Sequence, residues 1–310
     1  MRTVAKRGTV TFFAGFAKKV AVPFSRHLTF SLILTASALA QDFALIKLEQ
    51  LAKGYTFTEG PAWSRDGYLI FSDTPTDRLL KWEPGQDPEV YRENANGPAG
   101  NAFDSQGRLY TCETRTRRVV RTGKKGETEV LAESFENKRL NAPNDIVVGR
   151  SDHVYFTDPA FGSQQEHREL DFYGVYHLPP KGPLKVVARP KGRPNGIALS
   201  PTGRILYVAN SDEHNVRAYD LDKNGDPAGE RVLISKIDGV PGGIRVDERG
   251  DLWIAANGIA IYSPEGKLLH TMPVHGVPSN LAFGEADLKS VFITARGNVY
   301  RARVNLKGAY

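Results

Sequence analysis

Residues 193–212 read RPNGIALSPTGRILYVANSD, and the same pattern returns five more times along the chain. Each copy has a polar or small residue, a short alternating run, a tight turn and an apolar strand. The other copies are TEGPAWSRDGYLIFSD (58–73), AGNAFDSQGRLYTCE (99–113), APNDIVVGRSDHVYFTD (142–158), VPGGIRVDERGDLWIAAN (240–257) and VPSNLAFGEADLKSVFITA (277–295). Aligned positions of successive copies lie 38 to 51 residues apart, a period typical of four-stranded propeller blades.

The repeats predict an all-β chain that forms a single six-bladed β-propeller over residues 41–310. The strand near residues 46–48 is expected to complete the last blade and close the ring. The longest gap between repeats contains GSQQEHRELDFYG (162–174). We interpret it as an extended loop at the channel mouth, which is either a substrate lid or a solvated linker.

Equivalent residues of the innermost strands surround the central channel of a propeller. Aligning the repeats predicts a ring made of Glu59, Asn101, Asn144, Asn195, Gly242 and Asn280. One carboxylate and several carboxamide oxygens form a hard oxygen site that suits Ca²⁺, with Mg²⁺, Mn²⁺ or Zn²⁺ as alternatives. In the competing interpretation, each Asn only caps a turn. The ring predicts one divalent cation in the central channel.

Charge is distributed unevenly along the 310 residues, whose net charge is +6. Residues 1–40 contain six basic and no acidic side chains, which leaves 35 of each sign in the rest. A balanced main body gives no electrostatic reason to expect a nucleic-acid partner. A small-molecule substrate and a monomeric chain are expected. The single cysteine, Cys112, excludes an internal disulfide.

Residues 1–40 have the features of a signal segment. Arg26 and His27 precede the apolar run LTFSLILTASALA, and Ala38 and Ala40 form an A-x-A cleavage pattern before Gln41. Thirteen residues are too few for a helix that spans a bilayer. The sequence therefore predicts export to the periplasm or the medium, without a stable membrane span. The alternatives are a disordered basic tail and a start codon placed upstream of a shorter signal.

Several of these motifs resemble the SMP-30/gluconolactonase/regucalcin-like family. The resemblance covers about residues 55–303 and rests on TEGPAW, NKRLNAPNDIVV, YFTDPAFG, RPNGIALSPTGRILYVANSD and PSNLAFGEADLKSVFITA. It implies a six-bladed propeller that holds a divalent cation, usually Ca²⁺, and hydrolyses sugar-type lactones. It also implies that Glu59, Asn144 and Asn195 are metal ligands.

The family's fourth ligand is an Asp that is usually assigned as the acid/base, and it falls on Gly242. The resemblance therefore implies an enzyme short of one ligand charge and of its proton acceptor. Restoring the carboxylate by Gly242→Asp is expected to raise both cation affinity and rate. The alternative function is a Ca²⁺- or ligand-binding propeller with lost or weak catalysis, and a protein-interaction propeller is a third candidate.

Three carboxylates are candidates to act in place of the missing side chain. Asp145 and Asp158 are predicted catalytic residues, and Glu113 is predicted to lie near the substrate. Each also has a structural interpretation, because Asp145 could order a turn, Asp158 could brace the following loop and Glu113 could pair with Arg115 or Arg117. Asn101 and Asn280 are predicted to contact the substrate or a water on the cation, or else to cap turns.

Overall fold

The computed structural model describes residues 46–309, so the predicted signal segment lies outside the described residues. This part of the chain is almost entirely β-structure, with two short 3-10 turns at Arg150–Asp152 and Gly162–His167. In chain order its strands are β1 (Leu48–Ala52), β2 (Thr58–Ser64), β3 (Tyr68–Asp73), β4 (Arg78–Trp82), β5 (Glu89–Arg92), β6 (Pro98–Phe103), β7 (Leu109–Glu113), β8 (Arg118–Thr122), β9 (Thr128–Ala132), β10 (Ser134–Phe135), β11 (Lys138–Arg139), β12 (Ile146–Val148), β13 (Val154–Asp158), β14 (Gly174–Leu178), β15 (Lys185–Ala188), β16 (Pro194–Leu199), β17 (Ile205–Asn210), β18 (Asn215–Leu221), β19 (Pro227–Ile234), β20 (Ile244–Val246), β21 (Leu252–Ala256), β22 (Gly258–Tyr262), β23 (Leu268–Met272), β24 (Pro278–Gly284), β25 (Ser290–Ala295) and β26 (Asn298–Arg303).

Six four-stranded antiparallel sheets confirm the six-bladed propeller, and β10 and β11 form a separate two-stranded hairpin. Blades 1 to 6 are β2–β5, β6–β9, β12–β15, β16–β19, β20–β23 and β24–β26 with β1. As predicted, the first strand completes the last blade, since Leu48 pairs with Ala302 and Ala52 with Val299. This pairing closes the ring and holds the six innermost strands around one channel.

Apolar side chains pack between neighbouring blades. One cluster joins Ala209 of blade 4 to Ile254 of blade 5, and another joins Trp253 of blade 5 to Ile293 of blade 6. Both faces of each sheet are therefore used in stacking, which is why the second strands are apolar along most of their length. Polar residues are left for the ends of the innermost strands, where they meet the channel.

The strand pairing corrects the predicted ring at two positions. In blade 1, the residue directly before Glu59 pairs with the last residue of the second strand, β3. Ala99, Asn195 and Ser279 follow the corresponding residue in blades 2, 4 and 6. Asn144 and Gly242 complete the ring in blades 3 and 5, because their amides donate to the matching carbonyls of β13 and β21. The observed ring is Glu59, Ala99, Asn144, Asn195, Gly242 and Ser279.

The sequence alignment was therefore wrong by two residues at Asn101 and by one residue at Asn280. The same register shift interrupts the innermost strands of blades 1, 2, 4 and 6, so it does not distinguish the two misaligned blades. In blades 2 to 6 the ring residue directly follows a proline, whereas Asn101 and Asn280 lie three and two residues after Pro98 and Pro278. Aligning the copies on polar residues rather than on these prolines produced the error.

Candidate functional site

Three predicted ligands, Glu59, Asn144 and Asn195, line one cavity of about 360 Å³. They come from three different blades, and the propeller brings them together across 136 residues of sequence. The remaining lining residues are neutral, and they are Phe57, Thr74, Ala99, Thr114, Ala142, Phe161 and Gln164. Among the described residues, Glu59 is thus the only carboxylate in this lining.

Glu59 lies in β2 with its carboxylate almost fully buried. Its Oε2 accepts hydrogen bonds from the Gly60 amide at 2.6 Å and from Asn280 Nδ2 at 3.1 Å. Burial, with a further contribution from the charge of Asp145, raises the pKa of Glu59 to about 7. Its Oε1 accepts no hydrogen bond from residues 46–309. One oxygen of this buried carboxylate is therefore left for a cation.

Asn195 is oriented by the hydroxyl of Ser211, which directly follows the next strand, β17. Its Nδ2 donates to Ser211 Oγ at 3.0 Å, and that hydroxyl in turn donates to the Pro241 carbonyl at 2.9 Å. Because Ser211 donates its hydroxyl proton to Pro241, its oxygen can only accept a hydrogen bond from Asn195. Ser211 therefore contacts the NH₂ end of the Asn195 carboxamide. Asn195 Oδ1 is left without a donor from the described residues.

Asn144 is held by its backbone alone. Its amide donates to the Thr157 carbonyl at 2.8 Å, and its carbonyl accepts from the Gly100 amide at 2.6 Å. Its half-buried carboxamide makes no hydrogen bond within residues 46–309. The Asn144 side chain is therefore positioned by the strand and available to a ligand.

These donors fit a hard divalent cation. One carboxylate oxygen and two carboxamide oxygens face the same cavity without protein partners, and oxygens of these kinds are the ligands of Ca²⁺. In the part of the chain that the structure describes, no three His, Cys, Asp or Glu side chains are grouped so that they could hold a metal ion. Any cation here would depend on Asn oxygens and on water or substrate to complete six to eight ligands.

Gly242 lies at the ring position that lacks a side chain. Its amide donates to the Ala255 carbonyl at 2.8 Å, and its carbonyl accepts from the Gly196 amide at 3.0 Å. A Cβ added to Gly242 would lie 2.3 Å from the carbonyl oxygen of Ser279. The backbone of blade 6 therefore occupies the space that a side chain at position 242 would need.

Asp145 faces away from the cavity. Its Oδ2 accepts from the Ile197 amide at 3.2 Å and from Arg245 Nη1 at 3.3 Å, whereas its buried Oδ1 has no partner. Arg245 lines a second cavity farther along the innermost strands, beside apolar residues such as Phe103 and Phe283. The catalytic role of Asp145 stays a prediction, and Asp145 is not part of the cavity lining that contains Asn144.

Asp158 braces the backbone that leads to Asn144. Its Oδ1 and Oδ2 accept the amides of Ala142 and Asn141 at 2.7 and 2.8 Å. Burial raises the pKa of Asp158 to about 7. Both oxygens bind the segment before Asn144, whereas the structural interpretation expected them to bind the loop that follows Asp158. Asp158 is outside the cavity lining, and its catalytic role stays a prediction.

Glu113 is likewise buried in polar contacts. It accepts from Arg118 Nε at 2.6 Å and from Thr116 Oγ1 at 2.8 Å, and Arg92 lies 3.8 Å away. The sequence predicted Arg115 or Arg117 as its partner, but the arginine that binds Glu113 is Arg118, which faces it in the β7–β8 pairing. Glu113 does not line the cavity, and its substrate contact stays a prediction.

The two remaining candidates have different surroundings. Asn101 joins blades 1 and 2, because its Nδ2 donates to the Gly60 carbonyl at 2.8 Å and its Oδ1 accepts from Thr111 at 2.9 Å. It lines the second cavity together with Arg245. Asn280 donates a hydrogen bond to Glu59 and so contacts a proposed metal ligand from outside the cavity lining. Neither side chain is part of the lining around Glu59.

Sequence reasoning missed most of the neutral lining. Phe57 precedes the first repeat, whereas Thr74 and Thr114 follow the second strands of blades 1 and 2. Phe161 and Gln164 belong to the long blade-3 segment, which the sequence marked only as either a lid or a linker. The length of that segment was the one signal that could have identified them.

The fold and the cavity define a six-bladed propeller with an oxygen-rich ligand pocket at its channel. Residues 57–297 match the family model described as the SMP-30/Gluconolactonase/LRE-like region. The chain belongs to this family, as its motifs predicted. In residues 46–309, no helix has the length and apolar character needed to cross a membrane.

Named relatives agree with this placement. The gluconolactonase of Zymomonas mobilis is 31% identical over 293 residues, which cover 84% of this chain and 82% of that protein. The pentonolactonase XacC of Haloferax volcanii is 26% identical, and the match covers 77% of this chain and 81% of that protein. The solved structure of XC5397 from Xanthomonas campestris, described as a gluconolactonase, has a TM-score of 0.78 and 33% identity, covering 84% of this chain and 89% of that one.

Proposed function

We propose that this chain opens a sugar-type lactone with the help of one bound divalent cation, Ca²⁺ by the chemistry of its ligands. The general activity, lactone hydrolysis by an enzyme, follows from its family and its relatives. The observation that supports the cation is the set of unpartnered oxygens on Glu59, Asn144 and Asn195 in one cavity. A structure described as a calcium-binding regucalcin from Agrobacterium tumefaciens has the same fold, with a TM-score of 0.71 at 20% identity.

The reaction adds water to the lactone carbonyl carbon and breaks the ring C–O bond, which gives a hydroxy acid. A cation held by Glu59, Asn144 and Asn195 would supply Lewis-acid polarisation of that carbonyl. The chain itself orients the ligands, since Gly60 and Asn280 fix Glu59 and Ser211 fixes Asn195. When a lactone is bound, the apolar and neutral lining replaces bulk water around the reacting ring with protein contacts.

Proton removal is the weak step of this site. Gly242 supplies no carboxylate, and within the described lining Glu59 is the only acidic residue. A positioned general base typically contributes 10²–10⁴-fold to a rate. We therefore expect a lower turnover than in relatives that have the acid at this position, with proton transfer to bulk water.

Removal and replacement of the cation tests this proposal. Chelator-stripped protein is expected to be inactive on glucono-1,5-lactone, and Ca²⁺, Mn²⁺ or Mg²⁺ is expected to restore hydrolysis, measured with a pH indicator. At a cation concentration about 100 times Kd, binding should also stabilise the fold by about 2.7 kcal/mol, seen as a higher Tm. If Ca²⁺ raises Tm but no cation restores turnover on a lactone panel, the chain is a binding propeller instead.

We also propose that residues 1–40 direct export. The proposal rests on the basic start, the apolar run and the A-x-A pattern before Gln41. Expression of the full chain in a bacterium should yield mature protein outside the cytoplasm whose N-terminus is Gln41, measured by mass spectrometry. Full-length protein retained in the cytoplasm would contradict it. The monomeric state stays a prediction.

A further inference from the structure

We propose that the second cavity binds a monocarboxylate with an apolar chain of about six carbon atoms, and that Arg245 pairs with its carboxylate. This cavity shares no lining residue with the cavity around Glu59. Within its described lining Arg245 is the only charged residue, Asn101 is the only other hydrophilic one, and the rest are apolar or aromatic. The proposal concerns a second ligand and does not depend on the proposed lactone hydrolysis.

Arg245 extends into the central channel from blade 5. Its Nη1 donates to Asp145 Oδ2 at 3.3 Å and to the Ile244 carbonyl at 2.6 Å. Asp145 directly precedes the first strand of blade 3, and blade 4 lies between blades 3 and 5. Because the contact passes the inner edge of blade 4, the guanidinium lies within the channel, where its side chain lines the second cavity.

One edge of this guanidinium is free. Nε and Nη2 of Arg245 make no hydrogen bond within residues 46–309, and the side chain is 19% exposed. Neither atom is fully buried, since the buried unpartnered polar atoms of the described residues do not include them. The N–H groups on this edge point in the same direction and match the two oxygens of a carboxylate. A carboxylate in the second cavity can therefore accept two hydrogen bonds without displacing Asp145.

The charges around this guanidinium permit an anion. Asp145 pairs with Arg245, and the charge of Arg245 also acts on Glu59 of blade 1, whose pKa it lowers against the larger raising effect of burial. A divalent cation bound by Glu59 would balance both carboxylates and leave the guanidinium charge uncompensated. We therefore expect the second cavity to bind a carboxylate more tightly with Ca²⁺ than without it.

The walls of the second cavity suit an alkyl chain. Its volume of about 120 Å³ is close to the roughly 150 Å³ of an engineered apolar cavity that holds benzene. Trp63, Phe103 and Phe283 line it, and the same three side chains line an adjoining cavity of about 250 Å³. Trp63 also stacks on Phe292 with 5.2 Å between the ring centroids, so its ring is held in place. A chain can therefore leave Arg245 along aromatic walls, whereas a hydroxylated chain would find few polar partners there.

Hexanoate is the probe, and its binding to the full chain is measured by isothermal titration calorimetry with and without excess Ca²⁺. 1-Hexanol has the same chain without the charge, and we expect it to bind about tenfold or more weakly, because it cannot form the charged hydrogen bonds. Arg245→Met removes the guanidinium and should abolish this preference for the carboxylate. That variant also leaves Asp145 without its ion-pair partner, which can prevent folding, so a second variant accompanies it.

Ala102→Leu fills part of the second cavity and keeps Arg245. It should weaken hexanoate binding by about tenfold or more, because the added carbons take the space of the alkyl chain. Ala188→Leu is the matched control, since Ala188 is also a half-buried alanine in a strand and lines neither cavity. It should change the affinity by less than about twofold.

A carboxylate that bound the cation beside Glu59 instead would give a different result. Such binding would require Ca²⁺ and would be unchanged in Ala102→Leu, and that outcome overturns the inference. So does the absence of hexanoate binding in both conditions, or equal affinity for hexanoate and 1-hexanol. Failure of the proposed function is a separate result, because a chain that binds hexanoate but hydrolyses no lactone would keep this site and lose the assigned activity.

Discussion

Glu59→Gln is expected to lower kcat/KM on the lactone by on the order of 10²–10³ and to remove the rise in Tm on adding Ca²⁺. Glu59 carries the only negative charge in the described lining, and ligand charge is a main determinant of Ca²⁺ affinity. Glutamine keeps the size of the side chain and one carbonyl oxygen. A loss of activity and of the Ca²⁺ response would therefore result from removal of the negative charge. Activity is measured by initial rates and cation binding by thermal denaturation.

The same variant distinguishes a lost ligand from a damaged fold. Because burial raises the pKa of Glu59 to about 7 in the folded chain, ionising it costs stability as the pH rises from about 4.5 to 7. The uncharged glutamine avoids this cost, so the metal-free variant should melt at or above wild type at pH 8. Glu93→Gln, at an exposed residue of blade 1, is the control and should change neither property. A Glu59→Gln protein that keeps its Ca²⁺ response would contradict the assigned site.

The repeat pattern was sufficient to predict the architecture. Each blade has its own polar start, its turn and its apolar second strand, so blade number and ring closure by β1 follow from local sequence. The aligned repeats placed Glu59, Asn144 and Asn195 in a predicted ring, and the resemblance to the family identified these three as the ligands. Their meeting in one cavity follows from the symmetry of the fold and requires no side-chain detail.

The pairing register and the lining could not be predicted in the same way. Asn101 and Asn280 look equivalent to Asn144 in sequence, yet they lie three and two residues after the proline that opens their strand, so Asn101 bonds to Gly60 and Asn280 bonds to Glu59. Asp145 also resembles a site residue, but strand alternation points it at Arg245. Which direction a polar residue faces depends on its exact distance from the start of the strand, and an alignment on polar residues alone does not fix that distance.

Gly242→Asp is expected to destabilise the fold by about 3 kcal/mol and to leave activity no higher than in wild type. From sequence alone, the same change was expected to restore a ligand and a proton acceptor. The structure reverses the sign, because a Cβ at this position would lie 2.3 Å from the Ser279 carbonyl oxygen. That oxygen accepts the Gly243 amide at 2.9 Å, so moving it would cost a hydrogen bond between blades.

Gly242→Ala separates the two effects, since it adds the Cβ without the carboxylate. If steric conflict dominates, Ala and Asp should lower the denaturation midpoint by comparable amounts, and neither should strengthen Ca²⁺ binding. If Asp instead raises Ca²⁺ affinity and kcat at an unchanged Tm while Ala does nothing, blades 5 and 6 can separate at little cost. Gly242 would then mark the simple loss of an acid. Under the packing explanation, the missing side chain and the close approach of Ser279 are one feature, so recovering an acid here would also require changes in blade 6.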